Sequence, residues 1–98
     1  MEYQELTEKI LKVAFEVSND LGVGFLESVY EKALCFALKQ EGLIVEQQKP
    51  IAVTYKGINV GSFFADLVVE NCIILELKAS KSFASEHEAQ LLSYLRAF

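Results

Sequence analysis

The chain has few of the residues that build metal–thiolate sites or membrane spans. Its 98 residues include two cysteines and one histidine. Cys35 and Cys72 are far apart and form no CxxC motif or Cys/His cluster, so both are interpreted as reduced, partly buried thiols. No stretch approaches the roughly 18 consecutive apolar residues of a transmembrane helix, and the first residues lack the basic segment of a signal peptide. The sequence therefore predicts a cytoplasmic protein with no membrane partner.

Basic residues are also scarce. Nine Lys and Arg residues stand against 14 Asp and Glu residues, which gives a net charge of −5. Phosphate binding normally requires a basic patch, so this balance argues against tight non-specific binding of nucleic acid by the domain alone. A metal ion can neutralise such a site locally, so an enzyme acting on nucleic acid stays open.

The first half of the chain has the apolar periodicity of helices. Apolar residues recur at three- and four-residue steps from Leu6 to Leu21, which predicts one amphipathic helix. A second helix is predicted from Leu26 to Gln40, and Gly42 is its expected stop. The length of the chain favours a single domain over residues 1–98.

The second half has strand signals. Alternating apolar residues predict strands at 44–48 and 51–55, about 60–69, and 72–78, and Pro50 indicates an irregularity or an edge position. Lys56-Gly57 with Asn59 predicts a turn. A capping box formed by Ser85 and Glu88 predicts a last helix from Glu86 towards Phe98. The order α-α-β-β-β-α is that of an α+β domain with a mainly antiparallel sheet.

Three charges interrupt the apolar strands. Asp66 lies on one strand, and Glu76 and Lys78 lie on the next. Charges in such strands are costly to desolvate, so they are usually paired, metal-bound or at a functional surface. Two carboxylates with an ammonium group can bind a hard divalent cation beside a phosphate. The alternative is an exposed strand face with a cross-strand ion pair.

A shared metal requires a particular hairpin register. A regular two-residue turn at Glu70-Asn71 would place Asp66 opposite Leu75, and Glu76 would then lie on the far face of the sheet. We therefore predict a three-residue loop or a β-bulge that brings Asp66 level with Glu76 or Ile74.

Four motifs, in this order and spacing, carry a family resemblance: GFLESVY at 24–30, ADLVV at 65–69, ELKA at 76–79 and HEAQLLSYL at 87–95. The chain resembles the GxxExxY family of small bacterial and archaeal proteins within the PD-(D/E)XK nuclease superfamily, over roughly residues 5–98. The resemblance implies a restriction-endonuclease-like αβββα core. Two features depart from the pattern: Phe64-Ala65 replace the proline before Asp66, and the family's final strand is missing because the chain stops at Phe98.

The resemblance also implies roles for individual residues. Asp66 and Glu76 match the acidic pair that holds Mg²⁺ or Mn²⁺. Lys78 matches the residue that orients or deprotonates the attacking water and stabilises charge on the phosphate. Glu27 matches a helix carboxylate that adds a direct or water-bridged metal contact, although a purely local role at a helix N-terminus is the alternative.

Four further residues are candidates for binding substrate or supporting the site. Gln90 and Tyr94 resemble a Gln-xxx-Tyr signature of some nuclease branches, and their spacing places them on one face of the predicted last helix. His87 shares that stripe, with a solvated or hydrogen-bonding role as its alternative. Tyr30 is at helical spacing from Leu26 and Leu34, which favours a place in the core.

The function that follows is metal-dependent hydrolysis of phosphodiester bonds in nucleic acid, and the resemblance favours DNA over RNA. The alternatives are a catalytically silent nucleic-acid-binding module and a subunit that works only in an assembly. Apolar residues close the chain without a polar tail, which predicts a homodimer that buries the C-terminal helix or an exposed strand edge.

Overall fold

Two helices and four strands make up the part of the chain that the computed structural model describes, namely residues 3–22, 24–81 and 87–95, with side chains for 3–22 and 24–77. The elements are α1 (Tyr3–Leu21), α2 (Glu27–Gln40), β1 (Val45–Tyr55), β2 (Ile58–Val69), β3 (Ile73–Lys81) and β4 (His87–Leu95). The strands form one antiparallel sheet in the order β1-β2-β3-β4. The predicted α+β class is confirmed, and the arrangement is consistent with a restriction-endonuclease-like fold.

The main core lies between the two helices and one face of the sheet. Its buried residues are Leu6, Ile10, Val13, Leu34, Cys35, Leu38, Leu43, Val45, Leu67, Val69, Ile73, Leu75 and Leu77. Full burial of one such side chain contributes about 1.5–3 kcal/mol to the free energy of unfolding. The core residues of α1 are Leu6, Ile10 and Val13. They follow the predicted apolar stripe, so the first helix is confirmed.

A smaller cluster on the sheet joins Ile51, Ala65, Val68 and Ile74. Val68 lies between Leu67 and Val69, whose side chains belong to the main core. Because successive strand residues point to opposite faces, the second cluster includes the face that is turned away from the helices.

Helix α2 ends where the sequence predicts. Gly42 has a φ of 84°, which only glycine adopts without strain. Its N–H donates to the Lys39 carbonyl at 2.9 Å, and the Leu43 N–H donates to the Leu38 carbonyl at 3.3 Å. These bonds satisfy carbonyl groups in the last turn and direct the chain into β1.

Strand β1 is continuous through Pro50, which pairs with Phe64, and it is an edge strand of the described sheet. The edge position predicted for Pro50 is therefore confirmed. Two residues earlier, Gln48 has a left-handed φ of 49°, and the register of β1 with β2 shifts further along, between Val53 and Thr54. The left-handed conformation costs a non-glycine residue about 1–2 kcal/mol. The tight turn at Lys56-Gly57 is also as predicted.

The C-terminal helix predicted from Glu86 towards Phe98 is wrong. Residues His87–Leu95 form strand β4, which pairs with β3 along its whole length, from Ile73↔Leu95 to Lys81↔His87. A capping box is a local signal worth about 1 kcal/mol, and a ladder of backbone hydrogen bonds along β3 outweighs it. Ser85 itself lies outside the described residues. Because His87–Leu95 form a strand, the predicted homodimer contact through a helix there no longer applies, and the strand edge remains as the predicted alternative.

Both cysteines are free thiols, Cys35 buried and Cys72 partly buried, as predicted. Near the second, the Tyr3 hydroxyl donates to the Cys72 carbonyl at 3.3 Å and ties the start of α1 to the loop before β3. Loss of hydration on burial, followed by the nearby Cys72 side chain, raises the pKa of Tyr3 above its ordinary value, so the phenol stays a neutral donor.

No helix in the described ranges combines the length and the apolar content that crossing a bilayer requires.

Candidate metal site on strands β2 and β3

The loop between β2 and β3 sets the register of the site. It contains three residues, 70–72, because Val69 pairs with Ile73, Val68 with Ile74 and Leu67 with Leu75. The Cys72 N–H donates to the Val69 carbonyl at 3.1 Å and closes the loop. This is the three-residue loop that the sequence predicts, and the prediction is confirmed.

Glu70 anchors this loop to the start of β1. Its N–H donates to the Ile44 carbonyl at 2.8 Å, and its Oε2 accepts the Ile44 N–H at 2.6 Å. Two hydrogen bonds thus join Glu70 to Ile44. They offset the strain of the left-handed conformation of Glu70, whose φ is 53°. The loop is therefore held at both ends, and the register of the two strands is fixed by it.

The regular pairs end at Leu67↔Leu75, and the same register continued by one residue would set Asp66 opposite Glu76. The Asp66 side chain hydrogen-bonds to the backbone of β3, where its Oδ2 accepts the Leu77 N–H at 2.8 Å. A backbone donor fixes the orientation of the carboxylate. Asp66 is partly buried.

The other oxygen of Asp66 faces a side chain from β1. Asp66 Oδ1 accepts from Gln48 Nε2 at 3.2 Å, and the same nitrogen donates to Glu31 Oε1 on α2 at 2.9 Å. Gln47 Nε2 donates to the second oxygen of Glu31 at 3.0 Å. The carboxylates of Glu31 and Asp66 are thus joined through one amide nitrogen.

Glu76 and Lys78 lie on β3, as predicted. Glu76 is partly buried and has interactions of its own. The backbone of Lys78 pairs with that of Gln90 on β4. The side chain of Lys78 lies outside the described residues, so its place beside the carboxylates stays a prediction.

Gln90, Tyr94 and His87 all lie on β4, so the prediction that they share one helix face is wrong. Their backbones pair with Lys78, Ile74 and Lys81 respectively. The side chains of these three residues lie outside the described part of the chain. The register nevertheless keeps Gln90 next to Lys78, although in a neighbouring strand and not on a helix.

Glu27 is exposed at the start of α2. A carboxylate in the first turn interacts favourably with the positive end of the helix dipole, which accounts for its position locally. Four residues later on the same helix, Glu31 is the carboxylate that reaches Asp66 through Gln48. A metal contact for Glu27 stays a prediction.

Tyr30 is a core residue that holds the loop between the helices. Its side chain is only 3% exposed, its hydroxyl donates to the Gly22 carbonyl, and the Phe25 ring packs against it edge to face, with centroids 6.2 Å apart. It supports the fold around the GFLESVY motif, as the core interpretation predicts.

Replacing Tyr30 with phenylalanine should lower the free energy of unfolding by about 0.5–1.5 kcal/mol, because it removes one hydrogen bond while the ring stays in place. Urea unfolding of both proteins measures this change. Mn²⁺ binding should be unaffected. A variant with unchanged stability and reduced cleavage of nucleic acid would instead indicate that the hydroxyl contacts substrate.

The donor set suits a hard divalent cation. The described side chains contain no group of three or more His, Cys, Asp or Glu residues that would enclose a metal. Mg²⁺, however, is usually held by one or two carboxylates, with waters and substrate phosphates completing its shell. Asp66 on β2 and Glu76 on β3 are the two carboxylates that the sequence predicts for this role.

Gln48 and Glu31 are the residues that the sequence reasoning missed. The signal available for Glu31 was its spacing, since it lies one helical turn after Glu27 and shares its face. No signal marks Gln48, because glutamine has no preference for the left-handed conformation and its partners are distant in sequence.

In a comparison with protein-family models, residues 4–98 match the PD-(D/E)XK nuclease superfamily. Comparisons with curated proteins and with solved structures give no match. The matched range contains all the candidate residues described above.

Proposed function

The chain belongs to the PD-(D/E)XK nuclease superfamily, and from this premise we propose that it is a divalent-metal-dependent nuclease domain. It hydrolyses phosphodiester bonds of nucleic acid, with DNA preferred over RNA. The observation that supports the proposal is the three-residue β2–β3 loop, whose register, continued one residue past Leu67↔Leu75, would set Asp66 opposite Glu76. Within the superfamily, Gly24, Glu27 and Tyr30 support membership of the GxxExxY group.

Asp66 and Glu76 would hold Mg²⁺ or Mn²⁺, and Glu27 would add a contact through water. When bound, the cation supplies an activated water and neutralises charge on the phosphate. Lys78 would orient that water and stabilise the negative charge that develops on the phosphate oxygens.

The remaining residues would position substrate. Gln90 pairs with Lys78 through the backbone and would support that lysine, while Tyr94 and His87 on the same strand would contact the nucleic acid. Tyr30 supports the site by holding the loop before α2. A homodimer formed through a strand edge, and a single cytoplasmic domain over residues 1–98, complete the proposal.

The test is a cleavage assay on double-stranded DNA, single-stranded DNA and RNA with Mg²⁺ or Mn²⁺. We expect cleavage that a chelator abolishes, with DNA cut faster than RNA. Lys78→Ala should lower the rate at least about 100-fold, the loss typical when one group that stabilises developing charge is removed. Lys56→Ala is the matched control, because it removes the same charge from a hairpin turn, and it should leave the rate close to that of wild type.

Binding is measured separately from cleavage. Mn²⁺ at about 100 times its dissociation constant should raise the free energy of unfolding by about 2.7 kcal/mol. Stabilisation by Mn²⁺ without cleavage of any substrate would favour a catalytically silent module. The absence of both stabilisation by Mn²⁺ and cleavage of any substrate would contradict the proposed function.

A further inference from the structure

Gln48 has an unusual backbone for its place in the fold. Four non-glycine residues of the described ranges have positive φ, and the other three, Lys56, Glu70 and Asn71, lie in the two hairpin turns. Gln48 lies inside β1, between the regular pairs Gln47↔Leu67 and Lys49↔Ala65. Tight hairpin turns commonly use left-handed residues, whereas regular strand residues have negative φ. Backbone strain of this kind persists only where the surroundings hold it, and it is common at functional sites.

The strained backbone directs the Gln48 amide to two carboxylates. Its Nε2 donates to Glu31 Oε1 at 2.9 Å and to Asp66 Oδ1 at 3.2 Å. A primary amide nitrogen has two N–H bonds, so these two contacts use its full donor capacity. The second oxygen of Asp66 accepts the Leu77 N–H. The Asp66 carboxylate is therefore held at both oxygens, by β3 on one side and by an amide anchored to α2 on the other.

A neutral amide suits this position. Two carboxylates that share one nitrogen repel each other, and hydrogen bonds from that nitrogen offset the repulsion. A lysine would do the same but would cancel the negative charge that attracts a cation. The amide keeps the two anions in place and leaves their charge intact.

We propose that Gln48 is a positioning residue: its amide, anchored on Glu31, fixes the Asp66 carboxylate in its metal-binding orientation and so sets the affinity for divalent cations. The second half of this proposal rests on the proposed function, because it requires Asp66 to bind a metal. The first half concerns the metal-free protein alone.

Two variants of the full chain separate the amide from the backbone. Gln48→Gly relaxes the left-handed conformation and removes the amide, and Gln48→Met keeps the side-chain length and the strain but cannot donate. Gln47→Ala is the matched control, because Gln47 contacts Glu31 without contacting Asp66. Thermal unfolding identifies any variant that fails to fold.

The first measurement needs no metal. Hydrogen exchange of the Leu77 backbone amide, followed by NMR at constant pH, reports whether Asp66 still accepts that N–H. Exchange should become several-fold faster in both Gln48 variants and should be unchanged in Gln47→Ala. Wild-type exchange rates in both Gln48 variants would overturn the proposal.

The second measurement is the dissociation constant of Mn²⁺, by calorimetry. Both Gln48 variants should bind about 10- to 100-fold more weakly, as is typical when a residue that orients a metal ligand is lost, while Gln47→Ala should bind like wild type. Faster exchange at Leu77 with unchanged Mn²⁺ affinity would overturn the claim about affinity. If wild type itself binds no Mn²⁺, the proposed function fails, and faster exchange at Leu77 still supports the positioning of Asp66.

Discussion

Replacing Asp66 with asparagine should lower metal-dependent cleavage at least about 100-fold, since loss of a carboxylate ligand removes several kcal/mol of charge stabilisation. The fold should survive, because the asparagine carbonyl can still accept the Leu77 N–H that Oδ2 accepts in wild type. The measurement is the initial rate of DNA cleavage at saturating Mg²⁺, with circular dichroism as the check on folding. Retention of more than about a tenth of the rate would contradict a role for Asp66 as a metal ligand.

Asp66→Ala separates the structural contribution of this residue from its chemical one. It leaves the partly buried Leu77 N–H without its acceptor, which costs about 1–3 kcal/mol of the free energy of unfolding. Cleavage should be lost to the same extent as in Asp66→Asn, while stability falls further. Equal stability of the two variants would show that the bond to Leu77 contributes nothing to the fold.

Local signals account for the parts of this fold that the sequence predicts. The apolar stripe of α1 and the glycine stop of α2 depend on residues three to five positions apart, which a sequence displays directly. The β2–β3 loop was predicted differently, from the requirement that Asp66 and Glu76 share one face of the sheet. A period of two in the strands makes that requirement strict, since a shift of one residue moves every side chain to the other face.

Contacts between distant residues account for what the sequence misses. Strand β4 replaces a predicted helix because its partner is β3, and the capping box at Ser85 and Glu88 carries no information about that pairing. Gln48 reaches Asp66 and Glu31, 18 and 17 residues away, through a conformation that glutamine does not favour. Both misses are cases in which tertiary contacts override local preference.

Leu67→Ala should lower the free energy of unfolding by about 2–5 kcal/mol, the range for truncating a fully buried leucine. Leu67 is 0% exposed and packs in the main core between the helices and the sheet. Domains of this size are stable by about 5–15 kcal/mol, so the variant loses a large share of the total. Urea unfolding, with the slope compared between variants to confirm the same transition, measures the change.

Phe64→Ala is the control for Leu67→Ala, because Phe64 lies three residues earlier on β2 and is 65% exposed. It should change stability by no more than about 0.5 kcal/mol. Leu67 also adjoins Asp66, and a cavity beneath it would let β2 shift. A displacement of about 1 Å at a reacting group can lower the rate about 100-fold, so Leu67→Ala should lose cleavage even at temperatures where it stays folded, and Phe64→Ala should not. Full cleavage by folded Leu67→Ala would mean that the hydrogen bonds to Leu77 and Gln48, and not the packing of the core beneath, hold the carboxylate in place.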